Sequence, residues 1–255
     1  MTDQSRHSIS VIIPVYNGAR FLPATIQSVC AQTHPPAEII VIDDCSGDDS
    51  PAIIQRAIES TVTPIRYVRQ ENQGPGAARN HGVTLATEDL LAFIDQDDLW
   101  QPEKLARQIS VMARPSSPGY VITQVEYFLE PGSMPPSWLK PEVLLSPQPG
   151  YIPSCLLVRR SLWTAVGAFD PALLAGSDMD WFVRAQEAVG PPAIVPEVLV
   201  RHRVHDNNQS GQLRTVQSDL LAMTRKALQR KRNQAIPPEH RGNTAQPADH
   251  ASAGQ

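Results

Sequence analysis

Three carboxylates fall within four positions at Asp95-Gln96-Asp97-Asp98, and they end the apolar run Leu90-Leu91-Ala92-Phe93-Ile94. Repulsion among carboxylates so close together grows as water is excluded, and a divalent cation is the natural neutraliser. Hard oxygen donors favour magnesium or manganese over zinc. The alternative is an acidic surface turn, or a helix N-terminus capped by Asp98. A second acidic pair, Asp43-Asp44, ends another apolar run, Ile39 to Ile42. Arg79 follows the glycine loop Gly74-Pro75-Gly76, where free amides and a helix dipole favour an anion. Its guanidinium can pair with a phosphate, pair with the Asp cluster, or stand as an ordinary surface residue.

These groups need elements to hold them at one edge. Ile9-Ser10-Val11-Ile12-Ile13 is a third apolar run, ending at Pro14-Val15-Tyr16-Asn17-Gly18. Helical patterning separates the runs, through Phe21, Ile26 and Val29, then Ile53, Ile54 and Ala57, with Ser50 and Pro51 as cap and first-turn pair. Ile65 to Val68 reads as a further short strand. Continuous apolar runs mark strands covered on both faces, hence a parallel sheet with helices on either side. In such sheets ligands bind outside the carboxyl ends of the strands, where all the polar clusters fall. The glycine loop is not a dinucleotide fingerprint, because its third glycine is missing and it does not follow the first strand.

Taken in order, Ser10-Val11-Ile12-Ile13-Pro14-Val15-Tyr16-Asn17, Val41-Ile42-Asp43-Asp44-Cys45-Ser46-Gly47-Asp48, Gly74 to Asn80 and Phe93 to Asp98 resemble the nucleotide-binding half of a family 2 glycosyltransferase, over roughly the first 115 residues. The resemblance implies a GT-A fold: a three-layer α/β/α sandwich with a mostly parallel central sheet, a Rossmann-like nucleotide-binding half and a smaller acceptor half. It also implies a nucleotide-diphosphate sugar donor, most often a UDP-sugar, with Mn2+ or Mg2+ on its diphosphate at a DXD motif and inversion at the anomeric carbon. Carried over, it puts Pro14, Val15 and Tyr16 in the base pocket, Tyr16 offering a ring face for stacking. Asp44 accepts from the base ring N–H, Asp43 is structural, and Arg79 steadies the base or diphosphate. Asp95 contacts ribose or shares the metal, and Asp97 is its first ligand. Asp98 completes that site or caps a helix from Gln101 onward.

In the second half, Leu173 to Arg184 is similar to the family segment in which an acidic pair precedes a helix, and Asp178 aligns with the general base. Ser177 stands where many members carry Glu. Helix capping is the other reading of Asp178 and Asp180. Val198 to Ser210 resembles the late strand and loop, in which His205 approaches diphosphate or metal; a polar strand end is the alternative, and His202 is a weaker candidate. Proline-rich residues 115–160 suit acceptor loops around strands at Tyr120–Phe128 and Tyr151–Val158, with Trp138 either a sugar-stacking ring or a loop anchor.

A single domain is expected over 1–234, divided near 8–115, 116–210 and 211–234, with a disordered tail at 235–255. The last helix, basic at Arg225, Lys226, Arg230, Lys231 and Arg232, either docks on the domain or gives peripheral membrane contact. The formal net charge of -4 argues against generic nucleic-acid binding. No apolar stretch approaches the ~20 residues of a membrane span, and Met1 to Ser8 lacks signal-peptide regions, so a cytoplasmic protein is expected, at most peripheral at the inner membrane face. Cys30, Cys45 and Cys155 are expected as reduced buried thiols. The expected activity is transfer of a sugar to a hydroxyl of a glycan, lipid-linked or small-molecule acceptor, as in polysaccharide biosynthesis. The rivals are a catalytically silent sugar-nucleotide module and a phosphotransferase or hydrolase using Asp95.

Overall fold

The computed structural model describes residues 7–136, 139–206, 208 and 213–235. Trp138 and the tail from 236 onward lie outside the described residues. Strands β1 (Ile9–Val15), β2 (Glu38–Asp43), β3 (Ile65–Arg69) and β4 (Leu90–Phe93) alternate with helices α1 (Leu22–Cys30), α2 (Ser50–Ser60) and α3 (Pro75–Leu85). All three pairings among these strands are parallel, in the order β3-β2-β1-β4. The β2 side chains show why the apolar runs are unbroken. Ile39 and Val41 pack in the main core with Ile26 and Ile54, whereas Ile40 and Ile42 point the other way onto Ala78 of α3. Both faces are covered, so neither can alternate with polar residues.

The second half adds β5 (Leu99–Trp100), α4 (Lys104–Met112), β6 (Tyr120–Leu129), α5 (Pro141–Leu145), β7 (Gln148–Pro149), β8 (Leu157–Arg159), α6 (Arg160–Val166), α7 (Ser177–Val189), β9 (Ala193–Val204) and α8 (Leu213–Ala235). Beyond β4 the sheet becomes mixed: β8 runs antiparallel to β4 and to β6, while β6 and β9 are parallel.

Several local expectations are corrected. Residues 151–158 are not one strand; Pro153–Cys155 forms a 3-10 turn between β7 and β8, because Pro153 removes a ladder donor. The helix expected from Gln101 begins at Lys104, since Leu99 and Trp100 first pair with β9. Ser50 is not a cap. Its hydroxyl accepts the Gly18 N–H at 2.9 Å, tying the loop after β1 to α2, while Asp48 Oδ1 accepts the Ser50 N–H at 3.0 Å. Cys155 is buried, but Cys45 is exposed and Cys30 half-buried. No helix among the described residues is long and apolar enough to cross a membrane.

Candidate active site

The carboxyl ends of β1, β2 and β4 open onto a cleft of about 660 Å³. Pro14, Val15, Tyr16 and Asp44 line it together with Arg79, Asp95, Asp97, Asp178 and His205. Its floor is knitted by the loops themselves. Ser46 Oγ accepts the Asn17 N–H and Asn17 Oδ1 accepts the Gly47 N–H, at 3.0 and 2.7 Å. Gln96 Oε1 accepts the Tyr16 N–H and its Nε2 donates to the Tyr16 carbonyl, so the middle residue of the acid cluster fixes the loop that presents the Tyr16 ring.

The two members of the Asp43-Asp44 pair face different ways. Asp43 is fully buried and accepts from Tyr67 Oη, Arg69 Nη1 and the Ser46 N–H. Asp44 lines the cleft and gathers the segment before α3: Oδ1 accepts from Gln70 Nε2 and the Gln73 N–H, Oδ2 from the Gly74 N–H at 2.8 Å. Two carboxylate oxygens offer about four acceptor positions, so Asp44 retains capacity for one more donor. Gly74 makes this turn at φ +86°, a conformation that side chains strain.

The acid cluster also divides. Arg79, nearly buried in α3, pairs with Asp95 at 2.5 Å, so it faces the cluster rather than solvent. Asp97 Oδ2 stands 2.9 Å from His205 Nε2. Asp98 does not line the cleft: it is fully buried, with Oδ1 2.9 Å from His202 Nδ1 and near the Arg203 N–H, and Oδ2 accepting from Ser154 Oγ at 2.5 Å. The expectation of Asp98 as a metal ligand is thereby corrected, since these partners hold both oxygens away from the cleft, and it caps no helix. Burial alone would favour a neutral His202, but Asp98 and its neighbours raise that ring to about 9.

Asp178 lies in the first turn of α7 and lines the same cleft, whereas Asp180 is buried and pairs with Arg184 at 2.7 Å and Arg230 at 3.6 Å. Desolvation raises the Asp178 carboxyl above the ordinary range; Arg79 opposes this and Asp95 adds to it. Ser177 also lines the cleft. Sequence reasoning missed Arg20, which reaches Glu130 at 3.2 Å from the cleft wall, and Phe21, whose ring lies 4.8 Å from that of His205.

The family model described as glycosyl transferase family 2 matches residues 10–164. The chain belongs to this family. It is 30% identical over 217 residues to an uncharacterized glycosyltransferase of Rickettsia conorii, a match covering 80% of this chain and 35% of the relative. The chain thus spans about a third of the length of that relative. Among solved structures it is similar to mannosyltransferase PcManGT from Pyrobaculum calidifontis in complex with GDP-Man and Mn2+, with TM-score 0.69 and 18% identity over 89% of this chain and 65% of that one. It is also similar to S. aureus TarS 1-349 in complex with UDP-GlcNAc, with TM-score 0.63 and 18% identity over 80% of this chain and 60% of that one. These likenesses establish the GT-A fold.

A family 2 glycosyltransferase of this fold calls for a test of the metal donors. Among the described residues no three His, Cys, Asp or Glu side chains converge to hold an ion. Asp97 and His205 supply one hard oxygen and one imidazole nitrogen at the cleft. Magnesium-type ions bind through one or two carboxylates plus substrate phosphates, and this sparse donor set fits that mode.

Proposed function

We propose that this chain transfers a sugar from a nucleotide-diphosphate sugar, preferably a UDP-sugar, to an acceptor hydroxyl with inversion. The observation that carries the reading is that Asp178, a carboxylate whose proton affinity burial raises, lines the same cleft as Asp95 and Asp97. Tyr16 stacks on the base, and the remaining acceptor position of Asp44 takes the base N–H. Arg79, anchored on Asp95, steadies the donor from beneath. A divalent ion, held by Asp97 with His205, would stabilise charge on the departing diphosphate as a Lewis acid.

Asp178 takes the acceptor proton as the oxygen attacks the anomeric carbon and the bond to the diphosphate breaks. One in-line displacement from the face opposite the leaving group inverts the centre. A carboxylate with a raised pKa is a better base than an ordinary one, and positioning supplies much of the remaining acceleration. The acceptor is a hydroxyl of a glycan, of a lipid-linked molecule or of a small molecule.

Calorimetry of nucleoside diphosphates with and without Mn2+, on the wild type and Asp97→Ala, tests the donor half. UDP binding that needs both the ion and Asp97 supports the reading; equal binding by the variant overturns the metal assignment. Ser177, which leaves Asp178 without an acidic neighbour, favours a second reading as a silent binding module. Donor binding with neither transfer nor donor hydrolysis would establish that reading instead.

A further inference from the structure

Helix α8 lies outside the 10–164 region that carries the family match, yet it grips α7 and the segment leading into it at three places. Lys226 pairs with Asp170 at the start of that segment. Arg230 reaches Asp180 and Glu187 along the side of α7, at 3.6 and 3.2 Å. Between them Asp219, only 6% exposed, turns one oxygen onto two consecutive backbone amides: Oδ2 accepts the Ala175 N–H at 2.8 Å and the Gly176 N–H at 3.1 Å.

The N-cap of α7 is Gly176, which makes no side-chain cap bond. Within the first turn Asp178 Oδ1 accepts the Met179 N–H at 2.8 Å, while Asp219 serves the amides just before it, those of Ala175 and of Gly176 itself. Negative charge beside these amides is favoured by the helix dipole. Gly176 lets the two elements approach closely. A Cβ on it would lie 3.1 Å from Met223 Sδ and 3.2 Å from Asp219 Cβ. Both flanks of this contact belong to the cleft, because Leu174, Ala175, Ser177 and Asp178 all line it.

We infer that Asp219 is a positioning residue: from α8 it clamps the backbone at Ala175–Gly176 and thereby fixes where Asp178 stands in the cleft. The clamp is a structural statement about α7; its catalytic consequence rests on the functional reading above. A carboxylate that must meet a hydroxyl within hydrogen-bond reach tolerates little displacement, and a shift near 1 Å costs up to ~100-fold in rate. The donor edge is formed by β1, β2 and β4, and among the described residues Asp219 makes no hydrogen bond to it.

The test compares Asp219→Leu, similar in size but without acceptors, with Asp219→Asn, which keeps one oxygen able to accept both amides. Hydrogen exchange read by mass spectrometry over residues 173–182 reports the clamp without reference to activity. Exchange there about tenfold faster in Asp219→Leu, with near-normal values in Asp219→Asn, is expected. In turnover, Asp219→Leu should lose about 10- to 100-fold in kcat while donor KM and nucleotide affinity stay within about twofold. Asp219→Asn should recover most of that loss. Wild-type exchange in Asp219→Leu overturns the clamp. Loss of donor binding in step with turnover, or no rescue by Asp219→Asn, overturns the positioning role. A wild-type chain that transfers no sugar overturns the functional reading alone, since exchange still decides the clamp.

Discussion

Asp178 and Asp180 sit two positions apart in one helical turn, and their partners separate their work. Asp180 is held between Arg184 and Arg230 and serves the packing of α7. Burial pushes the proton affinity of Asp178 up, and the charge of Arg79 opposes it. The Asp178→Asn variant keeps the size and loses the base. Its kcat should fall by about 10²–10⁴, with nucleotide affinity changed less than about twofold, as read by initial rates and calorimetry. Turnover near wild type would remove Asp178 from the mechanism. At this scale the sequence is informative where a residue type is costly anywhere but a site. The strand-tip acids, the Asp178 pair and His205 all stand out in that way; Asp44, Asp95, Asp97, Asp178 and His205 line one cleft, while Asp43, Asp98 and Asp180 are buried. Asp98 misleads because its partners, Ser154 and His202, come from segments 56 and 104 positions away along the chain. Gln96 and Arg20 carry no chemical signal by type, so their places emerge only from geometry.

Elements obey stronger rules, and the first half of the fold follows from unbroken apolar runs ending in turn residues. The second half is harder to read because three of its strands are very short. β5 has two residues, β7 two and β8 three, too few for any period to show. Close approach between elements is also invisible in hydropathy. Gly82 in α3 is an example: a Cβ there would lie 2.4 Å from Ile12 Cγ2 of β1. Ile12 is fully buried and branched at Cβ, so it has no room to turn aside. Alanine in place of glycine gains up to ~1 kcal/mol of helix propensity, but overpacking a close-packed core costs about 1–3 kcal/mol. Gly82→Ala should therefore lower the urea midpoint with unchanged slope. A raised midpoint would mean that α3 can lift off β1 without cost.

Across the whole molecule, the least expected charge lies outside the cleft lining. Lys104 is fully buried at the start of α4, its Nζ bonded to Gln108 Oε1 at 2.8 Å and lying 3.8 Å from the centre of the Trp100 ring. Among the described residues it makes no carboxylate ion pair, and burial pulls its pKa down to about 7. Trp100 and Gln108 favour the ammonium but do not restore its hydration. Between pH 7 and about 10.4 the unfolded chain holds this proton and the folded chain releases it, so the Lys104 contribution to stability rises with pH, by at most ~1.4 kcal/mol per unit. His202, raised to about 9, acts in the opposite sense, contributing stability that is lost as pH climbs from about 6.5 through 9. The two slopes oppose each other between pH 7 and 9, so a flat wild-type profile would conceal both. The neighbouring Cys155 thiol, pushed up to about 12, stays neutral in this window. Comparing wild type with Lys104→Met isolates one term, because every other group cancels in the difference. The advantage of the methionine variant in urea unfolding should be largest at pH 7 and shrink steadily toward pH 10. A difference independent of pH would show that the buried amine keeps its ordinary protonation, with Trp100 and Gln108 compensating fully for the water it has lost.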